Sequence, residues 1–324
     1  MSKSACLLCV VLFVAGSVAL ISPDCRAGES LDASSSKHTQ IIYVPNDSSI
    51  TEYKVTDDGD VMPLATLTGM ATQIERARAA AIEPSGNLLV CNGSGVIARF
   101  APGANGNTAP ISTIAGATTM LSSCSGLVVD KAGHIFATSL SPTLGIYEFA
   151  PGASGDDAPI KAIPQGVNTQ FHDLFGMALD KHGNIWVSDT NDGPIFEFAA
   201  GSNGDVAPIA TIFGMHTGIV CPEGLAFAHN GDLLVADDCG NSIQFFKPGK
   251  TGNVAPVRTI SGANTGINTP VGIAFDQKGE IIVANFGAPS VGRFSKKASG
   301  DATPLSTIEG MSTGLDAPEF LTVH

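Results

Sequence analysis

Charge is scarce in this chain. Only 15% of its 324 residues are Asp, Glu, Lys or Arg, against about a quarter in an ordinary soluble domain. Basic residues are the scarcer kind, 17 against 30 acids, which leaves a net charge of −13. Such a chain repels phosphate, so nucleic acid is excluded as a partner. Long runs at helical periodicity are missing, which excludes a helical solenoid. The 37 Gly and 19 Pro would break the turns of a helix bundle. Beyond the apolar stretch that holds Cys6 and Cys9, Cys-x-x-Cys spacing is also missing, and with it a structural zinc site. No serine sits between the glycines of a nucleophile elbow, so serine-hydrolase chemistry has no support. Disorder is excluded by what is abundant: 44% apolar residues can fill a core.

One segment is continuously apolar, residues 5–21, preceded by Lys3 and followed by Cys25-Arg26-Ala27. The arrangement predicts a secretory signal cleaved before Gly28, so 1–27 is a signal peptide and the protein is secreted or periplasmic. A membrane anchor is the alternative. A lipidated cysteine is disfavoured, because residues 22–25 (SPDC) lack the small residues expected before it. No later segment is long and apolar enough to span a membrane. Residues 28–37 (GESLDASSSK) read as a disordered lead, and 38–324 as one domain. Four cysteines remain after cleavage: Cys91, Cys124, Cys221 and Cys239. An even number in an exported chain predicts disulfides.

Self-similarity dominates everything after residue 38. A unit of the form Gly-x-x-(Ala/Thr/Met)-Pro-apolar recurs as GDVMPL, GNTAPI, GDDAPI, GDVAPI, GNVAPV and GDATPL. Its prolines (63, 110, 159, 208, 256, 304) lie 47 to 49 residues apart. A turn glycine before an apolar strand recurs at 86, 133, 183, 231 and 279. A threonine between units recurs at 72, 118, 169, 217, 265 and 313. Each copy resolves into four short strands, the fourth beginning at Pro on a sheet edge. Repeated four-stranded antiparallel sheets of this length are propeller blades. The first copy lacks an innermost strand, and the chain ends on APEFLTVH, which matches only the start of a copy. Residues 320–323 are therefore predicted to complete the first blade and close an all-β ring of six.

The stretches DKHGNIWVSDTNDGPIFEF, AHNGDLLVADDCGNSIQFF and DQKGEIIVANFGAPSVGRF resemble NHL-repeat propellers. More widely, the chain is similar to six-bladed lactonase-like propellers. The likeness covers nearly the whole mature chain and implies scaffolds, ligand binders, lyases or lactonase-like hydrolases.

Antiparallel alternation sorts the loops. With the inner strands starting at the top, the turns carrying His134, His182 and His229 fall at the bottom, as solvated turn residues. The Gly-x-x-Gly turns also fall there, with no helix following to make them phosphate loops. A polar residue ends each second strand at the top: Asn46, Asn92, Ser139, Asp189, Asp237 and Asn285. These are read as a ring around the channel mouth, with turn capping as the competing role. Immediately before each first strand, closest to the axis, stand Arg78, Ser125, Phe175, Glu223, Val271 and Glu319. Converging hard oxygens suit Ca²⁺ or Mg²⁺, and gluconolactonase-like propellers hold such an ion on the axis. The resemblance implies Glu223, Asp237, Asn285 and Glu319 as ligands, with Glu223 standing where that family has Asn. His172, Asp173 and His216 also fall on top-face connections; the zinc-dependent lyases of the NHL class need more histidines than these two supply. Cys221 with Cys239 and Cys91 with Cys124 are predicted to pair at the top. Two readings result. One is a monomeric binding module that takes a protein or glycan at the top face. The other is a metal-dependent hydrolase of lactones or related esters.

Overall fold

Short apolar runs between glycine turns can form only short strands, and the chain does so throughout. The computed structural model describes residues 39–190 and 193–324. The expected signal peptide (1–27) and lead (28–37) lie outside the described residues. Among the described residues twenty-four strands form six four-stranded antiparallel sheets, and helix is confined to two single turns, Met70–Thr72 and Ala117–Thr119. Blade 1 spans 41–68, blade 2 spans 77–114 and blade 3 spans 124–164. Blades 4, 5 and 6 span 174–212, 222–260 and 270–309. Within each, consecutive strands run from the axis outward. Proline stands two residues before each outer strand rather than opening it, as Pro256 does before Arg258–Ile260.

Thr322–Val323 supplies the missing inner strand of blade 1, pairing antiparallel with Ile42 and Tyr43. The Ile41 and His324 amides each donate to the other's carbonyl at 2.9 Å. The ring of six is therefore closed by the chain's own end, as expected.

Two classes of glycine make this geometry possible. The turn glycines 86, 133, 183, 231 and 279 all have φ between 76° and 91°, a region that only glycine enters freely. Gly126, Gly176, Gly224 and Gly272 sit on the inner strands, where neighbouring blades converge. A Cβ there would meet the next blade's carbonyl oxygen: Phe175 at 2.3 Å, Glu223 at 2.2 Å, Val271 at 2.3 Å and Glu319 at 2.6 Å. The convergence leaves a central cavity of about 250 Å³, to which Ala80, Gly126, Met177, Leu225, Ile273 and Phe320 contribute, one from each blade. The remaining core lies between blades. Phe136 and Ile146 of blade 3, for example, pack with Phe196 and Phe198 of blade 4.

The recurring Gly-(Asn/Asp)-x-(Ala/Thr/Met)-Pro unit has a physical role. Its second residue accepts a backbone amide from the connection that leaves the preceding blade. The six bonds are Ala71 to Asn107, Thr118 to Asp156, Asn168 to Asp205, His216 to Asn253, Asn264 to Asp301 and Ser312 to Asp60, at 2.7 to 2.9 Å. The last returns from blade 1 to the connection after blade 6, so the ring is closed at its outer radius as well. The threonine of the connection is buried and hydrogen-bonds within its own turn, as Thr217 does to the Gly214 carbonyl at 2.7 Å. In the second connection this residue is Thr119 rather than Thr118.

Both predicted disulfides are present. Cys91–Cys124 joins blade 2 to blade 3, with Cα atoms 5.6 Å apart. Cys221–Cys239 lies within blade 5, with Cα atoms 5.3 Å apart.

Replacing Cys91 and Cys124 together by Ala is expected to lower unfolding free energy by about 3–4 kcal/mol, read from urea unfolding under non-reducing conditions. Gly224→Ala forces a methyl onto the Val271 carbonyl and is expected to cost at least 1–3 kcal/mol, the usual range for overpacking. Ala79, where no glycine is needed, is the control: Ala79→Gly should cost no more than about 1 kcal/mol.

Candidate functional site

The polar residues that end the second strands are buried rather than displayed at the mouth. Asn46, Asn92, Ser139, Asp189 and Asp237 are wholly buried, and Asn285 is 2% exposed. Each accepts an amide hydrogen from the connection entering its own blade. Glu75 donates to Asn92, Ser122 to Ser139, His172 to Asp189, Val220 to Asp237, Asn268 to Asn285 and Asp316 to Asn46, at 2.7 to 3.3 Å. The expectation that these six line the mouth is corrected. Their oxygens satisfy backbone groups that burial would otherwise leave unpaired.

The residues nearest the axis are also placed differently from the expectation. Arg78, Ser125, Phe175, Glu223 and Val271 do not precede the inner strands but are their second residues. The register slips immediately after the first residue of each of these five strands. A bulge there re-aims side chains, and sequence alternation alone does not reveal it. Glu319 holds the matching place in blade 1, next to Phe320, which bridges to Ala79.

These bulges assemble a charged cluster over an apolar tunnel. The Arg78 guanidinium donates to the Glu319 carboxylate at 3.2 Å, and it lies 6.0 Å from the centre of the Phe175 ring. Burial pushes Glu319 up to about 7, opposed by the Arg78 and Arg76 charges. Glu223 is raised well above the ordinary carboxylate range, first by burial and then by the Glu319 and Asp238 charges. Asp173 and Asp238 are raised too, mainly by burial. Among the described residues Glu223 has no basic partner within 4 Å, while its backbone carbonyl accepts the Ser188 hydroxyl at 2.7 Å. Position-by-position comparison of the blades singles out Arg78, Glu223 and Glu319, but the coupling between them needed the closed ring.

The four residues considered as divalent-ion ligands do not come together as one shell. Glu223 and Glu319 share the mouth. Asp237 Oδ1 instead accepts the Val220 and Cys221 amides at 3.1 and 2.8 Å, and its Oδ2 accepts the Gln244 side chain at 3.1 Å. Asn285 Oδ1 accepts the Asn268 amide. Arg78 places a fixed cation against Glu319. Among the described residues no three His, Cys, Asp or Glu side chains gather closely enough to hold a metal. His172 is half exposed, with Nδ1 3.6 Å from Asp189. His216 is exposed, and its amide is tied to Asn253.

No protein-family model matches this chain, and no curated protein matches its sequence. Solved structures do match. A protein of unknown function from Bacteroides caccae is 12% identical, with a TM-score of 0.65, over 88% of this chain and 98% of that one. The nidogen/laminin complex contains a chain 14% identical, TM-score 0.62, over 88% and 98%. The WD40 β-propeller domain of Doa1 is 13% identical, TM-score 0.57, over 84% and 80%. At these identities the likeness is one of fold: the chain is a six-bladed β-propeller.

Proposed function

We propose that this chain is an exported, monomeric propeller of the NHL kind. It works as a binding module through its top face, and its partner is a protein that places a Lys or Arg side chain at the axial mouth. The observation that carries this reading is the unpaired Glu223 carboxyl beside Glu319, in a cluster with more acids than bases. Glu223, Glu319, Asp173 and Asp238 face one another's charge, and Arg78 is engaged with Glu319. An incoming cation would relieve that repulsion and lower both glutamate pKa values. The polar ring supports the same reading, because its fixed connections present a rigid rim that loses little freedom on binding. One of the similar structures, nidogen with laminin, is itself a protein–protein complex.

Chemical-shift mapping with acetyl-Gly-Arg-Gly-amide tests this reading. Perturbations are expected at 76–78, 173–175, 223 and 319. They should be at least several-fold weaker at pH 5.5 than at pH 8, and absent in the Glu223→Gln/Glu319→Gln double variant. Perturbation elsewhere only, or equal binding by the double variant, overturns it.

The same carboxyls set a pH dependence of stability. The Glu319 pKa is raised from 4.5 to about 7 on folding, so the folded state holds a proton that the unfolded chain releases. This contribution is fully present below about pH 4.5 and is lost as pH rises through about 7. It amounts to about 3 kcal/mol at most. The melting temperature is expected to fall between pH 5 and 8, and the glutamine double variant should flatten that fall.

A further inference from the structure

The blades repeat one register position near the bottom, where the third strand faces the outer strand. It holds Glu52 with Ala65, Arg99 with Ser112, Glu148 with Lys161, Glu197 with Ala210, Phe245 with Arg258 and Arg293 with Ser306. Five blades carry a charge on the third strand, and blade 5 carries Phe245. Elsewhere a cation at this level meets a carboxylate: Arg99 meets Glu83 at 3.0 Å, Lys161 meets Glu148 at 2.9 Å and Arg293 meets Glu280 at 2.6 Å. Among the described residues Arg258 has no carboxylate within 4 Å. Its guanidinium carbon lies 3.7 Å from the centre of the Phe245 ring, and Nη1 donates to the Lys296 carbonyl at 2.8 Å. The nearby acid, Asp232, is engaged by Lys247 at 3.2 Å.

This departure from symmetry opens onto a groove of about 440 Å³ between blades 5 and 6, on the face opposite the mouth. Phe275 and the Arg258–Phe245 stack form its apolar wall. Lys278, Lys296 and Lys297 are exposed along its edge, and Asp232 is the single acid lining it. Asp276 beneath the turn accepts the Lys278 and Glu280 amides, and Glu280 is held by Arg293. In a chain of net charge −13, the groove gathers four cations against one anion. Its volume matches a small-molecule site. A guanidinium already desolvated against an aromatic ring is suited to bind a carboxylate or sulfonate through paired hydrogen bonds.

We propose that this groove binds a small organic anion, with its flat apolar body against Phe275 and Arg258 and its acidic group held by Arg258, Lys278 and Lys296. The site is independent of the top-face reading. Calorimetric titration of the full chain with 2-naphthalenesulfonate tests it. One site is expected, with affinity falling at least tenfold in Arg258→Gln and in Lys278→Gln/Lys296→Gln. The lysine pair is exposed, so that variant keeps the fold and the test stands even if Arg258→Gln unfolds. Neither 2-naphthylmethanol nor inorganic sulfate should compete at equal concentration. The proposal is overturned by any of four results: no binding, unchanged affinity in a folded lysine variant, equal binding of the neutral alcohol (apolar adhesion alone), or full competition by sulfate (ion pairing without the aromatic wall).

Discussion

Closure of the ring is the constraint on which the rest depends. Each blade is a sheet with two free faces, and neither face is buried until a neighbour stands on both sides. The last neighbour is supplied by the chain's own end, through Thr322–Val323 on the inside and through Asp60 to Ser312 on the outside. Strand pairing at the axis and a side-chain cap at the rim share the load at two radii. The inner edge of blade 1 is therefore not left open for another chain to pair with.

Convergence on an axis also dictates composition. Inner strands meet so closely that four carry glycine where the next blade's carbonyl intrudes. Connections between blades expose backbone amides, and the Asn or Asp of each repeat satisfies one. The threonine and the residue ending the second strand satisfy others. Many of the aspartates are thus occupied with backbone hydrogen bonds rather than displayed. Charge without a partner appears where the side chains of the blades differ, at Glu223 beside the Arg78–Glu319 pair and at the groove beside Arg258. In a repeat protein the symmetric positions maintain the scaffold, and the asymmetric ones are free to carry recognition.

Blade number, strand order and the closing strand were legible, because spacing and turn chemistry are local. Both cysteine pairs were legible from adjacency at the top of neighbouring strands. The place of Asp237 and Asn285 is not legible, because alternation along a strand gives a side chain's face and not its partner. Their amide partners lie 16 or 17 residues earlier, in connections whose path is irregular. The bulges are invisible in the sequence because the slip of register after Ala77, Cys124, Leu174, Pro222 and Pro270 leaves no mark on hydrophobic periodicity.

The sequence by itself determined the architecture: a period of about 48 residues, four strands per period and a matching tail admit one closed arrangement. Only the tertiary structure decided which polar groups remain unsatisfied. Glu223 and Glu319 are separated by 96 positions in the chain and become electrostatically coupled because the ring brings their bulges to one mouth. Arg258 looks like any other cation in the sequence; its lack of a carboxylate is visible only against the paired cations of the other blades. Periodicity is carried by local covalent order, whereas desolvation and charge pairing depend on distances that exist only once the ring has closed.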